Sequence, residues 1–249
     1  MDKLATYALR LGDDSLILGQ RLSEWCGHAP ALEVDLSLAN VALDQIGQAT
    51  HFLNLAGDLE GEGRDGDALA FRRDVMDFTN CLLVEQPNGD FAQTIARQFL
   101  FSHYQVLLFE KLAAARDTRF AAIAAKAAKE VAYHATLASD WVVRLGDGTD
   151  ASKARMIAGL DWMWRFTDEL FAMDDVDAAA IKAGAGVDRA SLRAAWNARI
   201  DSVLAEATLV RPASRRATTG GRIGHHTEHL GHLLCDMQFL QRAYPGATW

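Results

Sequence analysis

Leu4, Ala8, Leu11, Ser15, Leu18, Leu22 and Trp25 recur along the first segment at alternating steps of four and three. That interval lays one apolar seam down a helix packed nearly parallel to its neighbours, and Gly27 with Pro30 just beyond ends it. A second helix is predicted over about residues 32–59, with Leu36, Leu43, Ile46 and Phe52 among its apolar positions and the run GEGRDGD as its stop. Together the two make a long antiparallel hairpin. A short helix is expected around residues 68–83. The turn Gln86-Pro87-Asn88-Gly89 then opens a third long helix over residues 91–115, and a fourth spans 119–145 before GDGTD. Further helices are predicted at 152–173, 189–207 and 226–242, with MDDVDAAAIKAGAGVD as a loose connection between the late ones.

Two long hairpins in sequence, joined by a longer crossover, form the up-down pattern of a four-helix bundle. No alternating β-rich stretch intervenes, and the four prolines, Pro30, Pro87, Pro212 and Pro245, all fall at breaks. With no fixed-period repeat and no long linker, the expectation is one all-α domain over residues 1–249. It is a ferritin-like four-helix bundle with additional C-terminal helices.

Half of the 249 residues are hydrophobic, enough for a sizeable core. The formal charge of -8, from 25 Lys and Arg against 33 Asp and Glu, argues against nucleic acid as a partner. The start MDKLATYALRLGDD has no charged-then-apolar leader pattern, and Asp, Lys or Arg interrupts every stretch of membrane-spanning length. A soluble, cytoplasmic protein with no membrane partner is expected. Cys26, Cys81 and Cys235 are odd in number, far apart and in no Cys-x-x-Cys arrangement, as suits reduced, packed thiols.

A bundle that holds two iron or manganese ions needs a Glu on each of two helices and a Glu-x-x-His on each of the other two. No Glu-x-x-His occurs in this chain. Asp44 is the only acid between Asp35 and Asp58, but three residues on, where an imidazole would join the same ion, stands Gly47. His134 is a plausible ligand on the fourth helix, yet Val131 occupies the position three before it and Glu130 lies at a spacing of four. Asp13 and Asp14 flank the first seam and could supply a carboxylate. The third helix offers none from Phe91 to Phe109. Two divalent ions need several anionic ligands, so Asp14, Asp44, Glu130 and His134 are read as positions of an incomplete site. Hydrogen bonding inside the bundle, for example between Glu130 and His134 one turn apart, is their alternative use. No metal and no catalytic residue is therefore assigned.

A second cluster lies near the C-terminus, where Gly224-His225-His226-Thr227-Glu228-His229-Leu230-Gly231-His232 follows Arg211, Arg215, Arg216, Gly220, Gly221 and Arg222. On a helix, His225, His229 and His232 would share a face, which makes a mononuclear metal site conceivable. The spacing is not His-Glu-x-x-His, so no built-in general base accompanies it. A Gly-rich basic loop entering a helix N-terminus also suits an anion. Arg215, Arg216, Arg222, His226 and His229 are therefore the candidates for an anion or partner contact. A tight loop and a docked helix is the plainer reading. Trp162, Trp164 and Trp196 are candidate interface anchors, with ordinary core packing as their alternative. No phosphate-loop, dinucleotide or nucleophile-elbow signature is present.

Three segments, LGDDSLILGQRLSEWCGHAP at 11–30, LVEQPNGDFAQTIAR at 83–97 and HTEHLG at 226–231, resemble the C-subunit family of bacterial phenylacetyl-CoA epoxidases. The resemblance runs from end to end. It implies a ferritin-like fold and a non-catalytic companion to an A subunit of like fold that carries the di-iron centre, while a separate reductase subunit with flavin and iron-sulfur groups delivers electrons. The whole system would epoxidise the ring of phenylacetyl-CoA at carbons 1 and 2 with O2 in aerobic phenylacetate breakdown. This chain would then bind no cofactor and meet phenylacetyl-CoA only indirectly. Its alternatives are a carboxylate-bridged di-iron oxygenase in its own right and an acyl-CoA-binding helical module.

Overall fold

The computed structural model describes residues 2–213 and 216–247, and among these there is no β-strand. Ten α-helices follow one another among the described residues: α1 (Lys3–Ser23), α2 (Leu32–Glu60), α3 (Gly66–Phe71), α4 (Leu82–Glu85), α5 (Phe91–Leu112), α6 (Thr118–Gly146), α7 (Asp150–Trp164), α8 (Asp175–Ala183), α9 (Arg193–Glu206) and α10 (Glu228–Ala243). Short 3₁₀ turns stand at Val75–Asp77, Thr167–Phe171, Ala190–Leu192 and Gly221–Ile223. The chain divides into two compact units, Met1–Gln86 with Thr219–Trp249, and Pro87–Thr218. Each unit contains one of the two long hairpins expected from the sequence.

In the first unit α1 and α2 run antiparallel. A Cβ on Gly12 would strike Leu53, while one on Gly19 would approach Ile46 and the Ala42 carbonyl, so the contact register falls along α2 as it rises along α1. Asp2 caps α1 by accepting from the Leu4 N–H at 3.3 Å. Gly61, with φ of 71°, closes α2 through a left-handed turn. From Ala5 to Leu22 almost every α1 residue is buried, the polar Arg10, Asp13, Asp14 and Ser15 included. A helix buried on all sides must satisfy its polar groups inside. Asp13 and Asp14 define where the unit's chemistry sits.

The 68–83 helix expected from periodicity is not formed as one piece. Three fragments take its place, α3, the turn Val75–Asp77 and α4. The Thr79 and Cys81 N–H groups donate to Asp13 and Asp14 at 2.8 and 2.7 Å instead of to carbonyls of their own segment. Asp74 and Asp77 form a capping box that restarts the chain between them. Tertiary acceptors outcompete the helical ladder here.

The second unit is built on the α5–α6 hairpin, with Asp90 and Asp117 accepting from the Gln93 and Arg119 N–H groups at the two N-termini. Helix α5 is buried almost throughout, and α7 crosses it so closely that a Cβ on Gly159 would meet the Ala92 and Gln93 backbone. Trp196 on α9 is fully buried, donates Nε1–H to the Leu100 carbonyl at 3.0 Å and packs against Trp164 and Phe171. Trp196 is thus a core residue, not an interface anchor. Trp164 packs beside it, and Trp162 alone of the three is exposed.

Two further expectations are corrected. The segment read as a loose connection contains helix α8: Asp174 and Asp177 make a capping box at its start and Gly184, with φ of 82°, ends it. The buried Arg189 guanidinium then pins the element through Asp177 at 2.7 Å and the Leu170 carbonyl at 3.0 Å. The helix predicted over 152–173 stops at Trp164 and continues as a 3₁₀ turn, while the Thr218 N–H takes up the Arg165 carbonyl at 2.9 Å.

Candidate functional site: a buried charge network in the first unit

Asp13 and Asp14 stand side by side on α1 and face different partners. Arg73 meets Asp13 through both terminal nitrogens, with Nη1 to Oδ2 at 3.0 Å, and the Thr79 N–H and hydroxyl donate to the same oxygen at 2.8 and 2.9 Å. The guanidinium also lies 4.1 Å from the centre of the Phe78 ring. Asp14 receives Arg222 in a fork, Nη2 to Oδ2 at 2.7 Å and Nη1 to Oδ1 at 3.0 Å, and the Cys81 N–H at 2.7 Å. Arg222 is placed by the Gly-rich loop around it. A Cβ on Gly221 would stand 2.1 Å from the Asn80 carbonyl, and one on Gly224, where φ is 80°, would stand 2.4 Å from the Met76 carbonyl.

Glu85, at the end of α4, is the third acid of the network and one that sequence reasoning missed. Its Oε1 accepts from the Thr227 N–H and hydroxyl, each at 2.7 Å, and its Oε2 from Asn80 Nδ2 at 2.8 Å. His226 Nδ1 lies 2.7 Å from the same Oε2, and His226 Nε2 lies 2.8 Å from the Phe78 carbonyl. Both ring nitrogens therefore face acceptors, and only the imidazolium, which donates twice, satisfies both. Burial pulls the His226 pKa down, but the hydrogen bond and charge of Glu85, with the Phe78 carbonyl, outweigh it and hold the pKa above the ordinary histidine value. Arg21 completes the arrangement by donating to the Glu85 carbonyl at 3.0 and 2.9 Å and to the His229 carbonyl at 2.9 Å.

The predicted site residues can now be placed. Arg222 and His226, candidates for an external anion, point inward to Asp14 and Glu85. The N-terminus of α10 does hold a carboxylate, and it is the chain's own Glu85. His229 is half-buried, Arg216 is exposed, and Arg215 lies outside the described residues. Because Thr227 occupies the N-cap and α10 starts at Glu228, His225 precedes the helix, and the shared face of His225, His229 and His232 that was conceivable on a helix is not formed. Asp44 is half-buried on α2 of the first unit, while half-buried Glu130 and buried His134 stand on α6 of the second. Asp44 and Glu130 take part in interactions of their own, as does His134.

The donor set fits a di-iron centre poorly. Both oxygens of Asp14 are engaged by a guanidinium and a backbone N–H, and Asp13 and Glu85 are enclosed in the same way by Arg73 and by His226 with Thr227. A cation already neutralises each carboxylate, so a metal ion would have to displace it. Within either unit, among the described residues, no three His, Cys, Asp or Glu side chains gather as a metal-binding group. Also among the described residues, no helix is long and apolar enough to cross a membrane.

The profile of the family described as phenylacetic acid catabolic protein matches residues 1–249. Across 249 residues, covering 100% of both sequences, the chain is 53% identical to the C subunit of the 1,2-phenylacetyl-CoA epoxidase of Escherichia coli strain K12.

Proposed function

This chain belongs to the phenylacetic acid catabolic protein family, and from that premise we propose that it is the non-catalytic, structural subunit of a ring-1,2-phenylacetyl-CoA epoxidase. In this reading its two long hairpins form the ferritin-like four-helix bundle of the family. It pairs with a di-iron catalytic A subunit of like fold and keeps that subunit soluble and competent. Electrons reach the A subunit from a flavin and iron-sulfur reductase, and phenylacetyl-CoA is bound there, so this chain contacts substrate only indirectly. It acts in the cytoplasm, takes no cofactor and binds neither nucleic acid nor membrane.

The observation that carries the reading is the fate of Asp14. The first-helix carboxylate that a dimetal bundle would direct to its ions is instead closed by Arg222 and the Cys81 N–H. The same pairing holds the loop of the C-terminal helix against α1, so a group of catalytic type supports the scaffold. Reconstitution of the isolated chain with ferrous iron, followed by desalting and elemental analysis, tests this. No stoichiometric iron is the expected result. Two tightly held irons per chain, with an oxygen-dependent absorption change, would assign the oxidation to this chain itself.

A further inference from the structure

The outer face of α2 carries an apolar ridge that the protein's own core does not use. Leu32, Leu36 and Leu43 are 70%, 57% and 66% exposed. With Gly47 they follow one another at steps of four, seven and four, which is one side of a helix. Leu36 and Leu43 were read among the apolar positions of this helix. The core face instead runs through Val34, Leu38, Val41, Gln45, Gln48 and Phe52.

Two observations separate this ridge from scattered surface leucines. Gly47 lies within a 29-residue helix, where glycine lowers helix formation roughly five-fold relative to alanine. Gly12 and Gly19 on α1 have an internal reason to be glycine, because a Cβ there would collide with α2. A Cβ on Gly47 would meet nothing within 4 Å. Nothing inside the protein requires glycine at that point, whereas a helix approaching from outside would. The second observation is charge. Along the ridge, from Leu32 to Gly47, the helix holds Glu33, Asp35 and Asp44 and no Lys or Arg. Two copies of such a face would set acid against acid, which disfavours self-pairing and favours a partner of opposite charge.

We propose that Leu32, Leu36, Leu43 and Gly47 dock a helix of the catalytic subunit, one whose apolar ridge is flanked by lysine or arginine. The proposal rests on the supporting-subunit reading above and names the surface through which that support acts. The ridge spans about 22 Å, roughly four helical turns. A glycine at one end lets the two axes approach toward the short limit of about 8 Å.

The test mixes the purified full chain with purified catalytic subunit and measures affinity at low and high salt. Wild type should form a complex that weakens as salt rises. Leu36→Glu with Leu43→Glu should weaken it by about 100-fold or more, and Gly47→Leu should do the same by filling the approach. Leu240→Glu, at an exposed leucine on α10, should leave it unchanged. Gly47→Ala should raise the folding constant of the free chain about five-fold, since glycine there serves no internal contact. Undiminished affinity in both the double-leucine and the Gly47→Leu proteins, each verified as folded by its melting curve, would overturn the ridge and leave the supporting role standing. A wild-type chain that binds no catalytic subunit at all would remove both. Destabilisation of the free chain by Gly47→Ala would also overturn the proposal.

Discussion

Replacing Glu85 with alanine is expected to cost about 3 kcal/mol of folding free energy and to release α10 before the rest of its unit. The carboxylate accepts four hydrogen bonds, from Asn80, His226 and, twice, Thr227. Its loss leaves an imidazolium and a helix N-terminus facing an apolar gap. Removing one partner of a buried ion pair costs roughly 3–5 kcal/mol, and the lower end applies because His226 can shed its proton. In a chain of this size about 3 kcal/mol lowers the melting temperature by roughly 6–12 °C. The pH dependence identifies the cause. With a folded pKa above its unfolded value, His226 contributes stability that is fully present below about pH 6.5 and is lost as pH rises through the folded pKa. Glu85→Ala should therefore lose most near pH 6 and less at alkaline pH. Denaturant melts at the two pH values, with hydrogen exchange of the α10 amides, would check this. A loss below about 1 kcal/mol at pH 6 would mean that the network does not anchor α10.

His103 should behave in the opposite sense. Burial first, and the Arg199 charge second, depress its pKa to about 4. The hydrogen bonds agree. Ser139 Oγ donates to the Ala135 carbonyl at 2.7 Å, so at 2.9 Å it must accept from His103 Nε2–H. That leaves Nδ1 buried, bare and without a partner. Protonation would place an N–H there with no acceptor. Because the unfolded chain takes up the proton near pH 6.5, His103 contributes stability above that pH and loses it as pH falls through 4. A gap of about 2.5 units corresponds to about 3 kcal/mol. The stability difference between wild type and His103→Gln should change by that amount between pH 7.5 and pH 4, and the imidazole NMR signal should titrate near 4. A titration near 6.5 would contradict the assignment.

The long hairpins were legible because their signal is local: a seam at steps of three and four, with Gly27 and Pro30, the turn Gln86-Pro87-Asn88-Gly89 and the runs GEGRDGD and GDGTD as breaks. Residues 68–83 were misread because the Thr79 and Cys81 N–H groups are taken up by Asp13 and Asp14, more than sixty positions earlier. Helix α8 was missed although local signals existed, since Asp174 and Asp177 form a capping box and Gly184 the stop. An Ala- and Gly-rich composition obscured them. Asp14 was read as a position of an incomplete metal site, but its partner Arg222 lies 208 positions away and no spacing rule reaches that far. Glu85 and His226 are separated by 141 positions. The three segments that carried the family resemblance hold Asp14, Glu85 and His226, and in the fold they meet in one network. A likeness spread along the chain thus marked residues that are neighbours in space.

The supporting role stands or falls on epoxide formation from phenylacetyl-CoA by purified catalytic subunit and reductase, with and without this chain. With the chain present, turnover should be sustained and the catalytic subunit should elute in a stable complex whose interface exceeds about 1,000 Å². Without it, most of the soluble, active catalytic subunit should be lost, because binding to the folded form is what holds that form in solution. This chain with reductase alone should form no epoxide. Equal turnover and equal solubility of the catalytic subunit on its own would contradict the role, as would epoxide formed by this chain in its absence.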